Sequence, residues 1–174
     1  MADPFDTLGV EPRFDLDLGA VEQRHRDLSR ALHPDRYSGA PAAERRLSLG
    51  RAIDVNEAFR VLKDPIRRAE ALLRRAGVAV GEISEPRPPP DLLMEMMEAR
   101  EELSAAARAK DLARTAQLAE GMRARQESVV RHLAAVLDKG NPHDMAAALP
   151  SLGELRYIRR FLDEVSAIED DLAP

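Results

Sequence analysis

The sequence predicts an all-α chain, an N-terminal helical hairpin followed by an antiparallel three-helix bundle. Three observations point there. Apolar residues recur at three- and four-residue spacings through most of the chain, the period of a helix with one buried face. Ala, Leu, Arg and Glu dominate, while aromatic residues make up only 3% and Trp is absent, a composition of packed helices rather than sheets. A proline-rich passage with Pro86, Pro88, Pro89 and Pro90 divides the chain, and 174 residues suffice for two small domains.

Pro4 to Leu8 can form a short first helix, with proline near its start, Gly9 as its stop, and Phe5 and Leu8 as core anchors. The second helix runs from about Leu18 to Leu32. Val21, His25, Leu28 and Leu32 form its buried stripe, and Arg26 and Arg30 project from the opposite face. Pro34 lacks an N–H and disfavours helical geometry at His33, so the helix should stop there and expose the loop His33-Pro34-Asp35. With Arg36 just beyond, a short positive strip leads into a polar loop, which suits an acidic protein surface better than a small-molecule pocket.

Ser38-Gly39-Ala40-Pro41 is a break, after which Pro41 falls in the first turn of a long third helix and Glu44 near its positive end. Its stripe of Ala52, Val55, Phe59 and Leu62 should pack antiparallel on Val21, Leu28 and Leu32, leaving the His-Pro-Asp loop at the hairpin tip. Asp64-Pro65 is a cap followed by a first-turn proline. It opens a fourth helix that buries Ile66, Ala69, Leu73 and Ala76 and ends at Gly77. These limits give a first domain over 1–76, a stiff linker over 77–90 and a second domain over 91–174.

The second domain reads as three long helices, roughly Asp91 to Ala109, Asp111 to Lys139, and a last one ending by Leu172. The stripes are Leu92, Met96, Ala99, Leu103 and Ala106; then Leu118, Met122, Val129, Leu133 and Val136; then Leu155, Ile158, Leu162 and Val165. Pro150 and Gly153 should break or kink the start of the last helix, which is expected from about Glu154. One helix has more apolar surface than a bundle needs. Leu93, Met94 and Met97 stand about a third to half a turn off the Leu92 line, bordered by Glu98 and Glu101 with Arg100 near. A partner protein could cover them, since Met suits adaptable interfaces, or they could fill a wide core or meet the first domain. Tyr157, beside Arg156, is off-stripe in the same way.

Several function classes are excluded. The net charge of −5, with basic and acidic residues interspersed, argues against a general nucleic-acid binder. With no Cys there is neither a disulfide nor a thiolate metal site. No apolar run is long enough to span a bilayer and no signal sequence is seen, so the cytoplasm is the expected compartment. No glycine-rich phosphate cradle is present, and no cofactor is expected. His33 and Asp35 flank a proline and orient poorly as an acid–base pair, so a hydrolase is a poor reading. His25 reads as a core histidine, His132 and His143 as solvated, and Glu101-Glu102 and Asp170-Asp171 as exposed acids rather than a metal pair.

Three segments in order, Pro4-Phe5-Asp6-Thr7-Leu8-Gly9-Val10, His33-Pro34-Asp35 and Val55-Asn56-Glu57-Ala58-Phe59, resemble the J-domain of DnaJ-type cochaperones. Leu93-Met94-Glu95 through Arg100-Glu101-Glu102-Leu103, and Leu155-Arg156-Tyr157-Ile158, are similar to signatures of HscB, the J-protein family of iron–sulfur cluster assembly. The resemblance implies a non-enzymatic cochaperone whose J-domain engages HscA, a DnaK-like seventy-kilodalton ATPase, and whose helical domain holds the scaffold protein IscU. It implies that His33, Pro34 and Asp35 stimulate the ATPase, that Arg26, Arg30 and Arg36 steer the encounter, and that Leu93, Met94, Met97, Glu98, Glu101 and Tyr157 form the scaffold patch. Ser104 and Ala105 depart from the acids common there, which weakens the acidic border. A J-protein with another client would share the tripeptide and lack affinity for the scaffold, and a structural adaptor would lack chaperone contact altogether.

Overall fold

The computed structural model describes residues 2–81, 86–139 and 142–172, and every regular element among the described residues is helical. The chain divides into two compact units, Met1–Val78 and Ala79–Pro174.

In the first unit, α1 spans Pro4–Leu8, α2 Leu18–Ala31, α3 Ala42–Lys63 and α4 Pro65–Arg75. The Asp3 carboxylate caps α1 by accepting from the amides of Phe5 at 2.9 Å and Asp6 at 3.2 Å, and Gly9 ends it at φ 64°. Phe5 and Leu8 are fully buried, as their spacing predicts, and Phe14 of the following loop joins them unforeseen. Helix α2 keeps its expected limits, but only Val21 of its stripe is fully buried. His25, Leu28 and Leu32 are half-buried. His25 is therefore no sealed core residue. It stacks on Phe59 with ring centroids 4.2 Å apart and sets Nε2 2.9 Å from Asn56 Oδ1 at an edge of the α2–α3 hairpin.

Pro41 precedes α3 as its cap rather than lying in its first turn, and Glu44 occupies that turn. Helix α3 packs on both α1 and α2, so it needs a broader buried face than one stripe: Val55 and Leu62 are joined by Ala58 and Ser48, while Ala52 and Phe59 are half-buried. Asp64 caps α4 by accepting from the amides of Ile66 and Arg67 at 2.9 and 3.1 Å. Ile66, Ala69 and Leu73 are buried as expected, and Gly77 follows the helix at φ 77°. Arg68, on the same helix, is also buried.

In the second unit, α5 spans Pro90–Ala109, α6 Leu112–Leu137, α7 Pro142–Met145 and α8 Leu149–Leu172. A 3₁₀ turn over Ala146–Ala148 links the last two. Helix α5 takes in Pro90, one residue earlier than the spacing predicts, because a first-turn proline forfeits no intrahelical hydrogen bond. The expected break at Pro150 and Gly153 is absent: α8 runs continuously through both. Pro150 is its second residue, where the missing N–H would have had no partner within the helix, and Gly153 costs only propensity. The core positions Leu152, Leu155, Ile158, Phe161 and Val165 advance mostly by three. The buried line thus winds around the cylinder, and Phe161 replaces the expected Leu162. On the other two helices Leu92, Met96, Leu103, Ala106, Met122, Val129 and Leu133 are buried as expected, while Ala99, Leu118 and Val136 are only half-buried.

Candidate functional site

The tip of the hairpin, predicted as an exposed polar loop, is a 3₁₀ turn over Pro34–Tyr37, and His33 caps it. His33 Nδ1 accepts from the Asp35 amide at 3.3 Å and lies 3.5 Å from Asp35 Oδ2. The Asp35 side chain is 90% exposed and that of His33 59%, so a polar pair faces outward on a rigid ring. The end of α2 is tied down from behind. The Tyr37 hydroxyl donates to the Ala31 carbonyl at 3.4 Å, and Ser48 Oγ of α3 donates to the Leu32 carbonyl at 3.3 Å, satisfying groups that a helix end leaves open. Sequence reasoning missed both residues. Ser48 had a visible signal, a hydroxyl four residues before Ala52 on the apolar line of α3.

Arg26 and Arg30 project to solvent as expected, and Arg36 is exposed. The strip is less positive than its spacing implies, because Arg26 pairs with Glu22 at 3.1 Å and Arg30 with Asp27 at 3.8 Å. Such exposed pairs are easily exchanged for a partner's acids. Arg24 does different work: its Nε donates to the Leu8 carbonyl at 3.0 Å and binds α2 to the end of α1. The Asn56–Phe59 motif is likewise structural. Asn56 and Phe59 hold His25, while Glu57 pairs with Arg60 at 3.0 Å and with Arg67 of α4 at 3.6 Å.

In the second unit α5 shows its other face to solvent. Leu93 is 38% exposed, Met94 60% and Met97 64%, and Glu98 and Glu101 beside them are exposed too. Ion pairs flank the helix. Glu95 meets Arg125 of α6 at 2.6 Å, Arg125 also meets Glu154 of α8 at 2.7 Å, Glu102 meets Arg114 of α6, and Arg100 meets Glu164 of α8 at 2.7 Å. Partial burial works against the charge of Arg125, but its hydrogen bonds to Glu95 and Glu154 outweigh that and raise its pKa further.

These pairs also fix helix directions. Glu95 and Glu102 find partners in reverse order along α6, so α5 and α6 are antiparallel; Glu95 and Arg100 link, through Arg125 and directly, to Glu154 and Glu164 in the same order along α8, so α5 and α8 run parallel. Tyr157 is half-buried, with the Arg160 guanidinium 5.7 Å from its ring centre.

His132, Glu101, Glu102, Asp170 and Asp171 are exposed, and the His143 side chain lies outside the described residues. Among the described residues no cluster of His, Cys, Asp or Glu could hold a metal ion, and no helix is long and apolar enough to cross a membrane.

Both units have counterparts in known proteins. The family model for the DnaJ domain matches residues 3–71, and that for the HSCB C-terminal oligomerisation domain matches residues 88–166. The Co-chaperone protein HscB homolog of Shewanella oneidensis is 32% identical over 169 residues, 97% of each chain. That of Bordetella avium is 36% identical over 167 residues, 96% of this chain and 97% of the relative. The chain belongs to the HscB co-chaperone family. Among solved structures, chaperone HscB from Vibrio cholerae superposes with a TM-score of 0.87 at 29% identity, covering 99% of this chain and 100% of that one. Human co-chaperone protein HscB gives 0.87 at 22% identity over 97% and 83%, a likeness of fold. As an HscB-family J-protein the chain is a co-chaperone of a seventy-kilodalton heat-shock ATPase, and its hairpin tip belongs to the domain that defines such proteins.

Proposed function

We propose that this co-chaperone stimulates an HscA-type ATPase and delivers to it the scaffold protein IscU, assisting cytoplasmic iron–sulfur cluster assembly. In this reading residues 1–76 are the J-domain, 77–90 the linker and 91–174 the scaffold-binding domain. His33, Pro34 and Asp35 bind the hydrolysis-competent state of the ATPase better than its other state and so shift the population toward it. Arg26, Arg30 and Arg36 steer the approach to an acidic surface. Leu93, Met94, Met97, Glu98, Glu101 and Tyr157 hold the scaffold, whose local concentration at the chaperone rises because both sites share one chain. Nucleotide hydrolysis belongs to the partner, and this chain supplies no reacting group.

The observation that supports the cargo half is the outer face of α5, where Met94 and Met97 lie more than half open on a helix that already buries Leu92, Met96, Leu103 and Ala106. The test is the steady-state ATPase rate of purified HscA with the wild-type chain, with and without IscU. Stimulation by the chain, a further rise with IscU, and loss of both with Asp35→Asn are expected. Stimulation indifferent to IscU would leave a J-protein with another client, and stimulation that survives Asp35→Asn would reject the role of the tip.

A further inference from the structure

We infer that Ser48, a buried residue of α3, is a positioning residue for the hairpin tip. Its hydroxyl sets the angle at which His33-Pro34-Asp35 leaves α2, and through that angle how strongly the chain stimulates its ATPase partner. The inference rests on the reading of the tip as the stimulating element and adds what aims it. The apolar grip on α2 ends early. Among the described residues of that helix Val21, near its start, is the one buried side chain, while Leu28 and Leu32 at its far end are half-buried. Hydrophobic contact is non-directional, so these two leave the last turn of α2 free to tilt.

Ser48 supplies a directional contact. It is 5% exposed, and its Oγ donates to the Leu32 carbonyl at 3.3 Å. Leu32 is the last half-helical residue of α2, at φ −97° and ψ 8°, and His33 follows in extended backbone at φ −60° and ψ 133°. The Leu32 carbonyl and the His33 nitrogen belong to one rigid peptide plane. A donor that holds this carbonyl therefore holds the plane from which the tip departs. Tyr37 has a different role, because it lies within the turn. Its bond to the Ala31 carbonyl at 3.4 Å ties the turn to α2 but ties neither of them to α3.

The residue type fits this role. Serine forms helix less well than alanine, and a buried hydroxyl is costly without an acceptor. On the buried face of α3 the acceptor is the carbonyl next to the tip. At 3.3 Å the bond is long for a hydroxyl donor, and the better helix propensity of alanine offsets its loss. Orientation rather than stability is what the hydroxyl contributes.

The test is the stimulation of purified HscA across a titration of the full-length chain. Ser48→Ala should lower the maximum stimulation roughly threefold, and leave the concentration for half-maximal stimulation and the melting temperature near those of wild type. Ser48→Thr, which keeps the hydroxyl, should recover most of the loss. Amide exchange reads the tip directly. The amides of Leu32 and Arg36, bonded to the carbonyls of Leu28 at 2.9 Å and His33 at 3.0 Å, should exchange faster in Ser48→Ala while those of α1 and α4 keep their rates. Val61→Ala, which trims a half-buried side chain elsewhere on α3, is the destabilised control and should retain full maximum stimulation. The inference is overturned if Ser48→Ala stimulates like wild type, or if it loses stimulation only together with faster exchange throughout the unit. Stimulation that survives Asp35→Asn would remove the proposed role of the tip, and this inference with it.

Discussion

Truncation of the outer face of α5 gives the most quantitative test of the cargo surface. Fully burying a Met or Leu side chain is worth about 1.5–3 kcal/mol, so covering the exposed 60% of Met94 and 64% of Met97 would contribute about 1–2 kcal/mol each. Leu93, 38% exposed, would add about 0.6–1 kcal/mol. Alanine keeps the Cβ and part of that contact, so Leu93→Ala, Met94→Ala and Met97→Ala together should cost about 2–3 kcal/mol of binding, a roughly 30- to 150-fold rise in Kd. Titration calorimetry against purified IscU measures it. The free chain supplies the control: Met94 and Met97 contribute little to the core, so Met94→Ala with Met97→Ala should shift unfolding by no more than about 0.5 kcal/mol. A triple variant that binds within threefold of wild type, with its melting temperature intact, would refute the assignment of this face.

The remaining expectations concern the first unit. Arg68 Nη1 donates to the Leu62 carbonyl at 2.8 Å and the guanidinium lies 4.7 Å from the Phe14 ring centre. Arg68→Met should cost about 2–4 kcal/mol by leaving a buried carbonyl unpaired and freeing the loop that carries Phe14; a loss below 1 kcal/mol in urea unfolding would contradict this. Gly9 holds φ 64°, and a Cβ there would come within 3.3 Å of Arg24 Nη2, so Gly9→Ala should destabilise by about 1–2 kcal/mol in the same assay. Partial burial tends to raise the Asp3 pKa, but hydrogen bonds from Arg75 and from the amides of Asp6 and Phe5 outweigh it and hold the carboxyl below its ordinary 3.8. A lowered folded pKa stabilises above the unfolded value, so the melting-temperature gap between wild type and Asp3→Asn should be full at neutral pH and close as pH falls below about 4.

Elements set by local chemistry were legible in the sequence. Pro4 with Gly9, Asp64-Pro65 with Gly77, and the stop before Pro34 each carry cap or proline constraints that act within a few residues, and the structure keeps them. What depended on register across helices was not. Periodicity assigns one stripe to α3, but packing on both α1 and α2 widens it to Ser48 and Ala58. On α8 a straight-stripe expectation chose Leu162, whereas a line advancing by threes selects Phe161. Pro150 read as a breaker because the helix start was placed too late; moved to the first turn, the same proline is harmless. At the tip, the tripeptide was visible, but the hydroxyls of Tyr37 and Ser48 that brace the end of α2 reach carbonyls six and sixteen positions back, partners that the pattern along one helix does not name.

Helix α5 poses a problem of choice, since it carries two apolar faces and could bury either. Leu92, Met96 and Leu103 lie on one, Leu93 and Met97 about a third of a turn around on the other. Burial favours the Leu92 line, which continues to Leu103 and Ala106, over a face that ends at Met97. Charge acts in the same direction. With the Leu92 line inward, Glu95 and Glu102 reach Arg125 and Arg114 on one flank while Arg100 reaches Glu164 on the other. Rolling the helix to bury Met97 would break all three links and carry Arg100 and Glu101 toward the interior, where an unpaired charge costs several kcal/mol. Each exposed pair adds little stability by itself. Their combined effect is to penalise the alternative rotation, so a helix with surplus greasy surface keeps that surface outward and available.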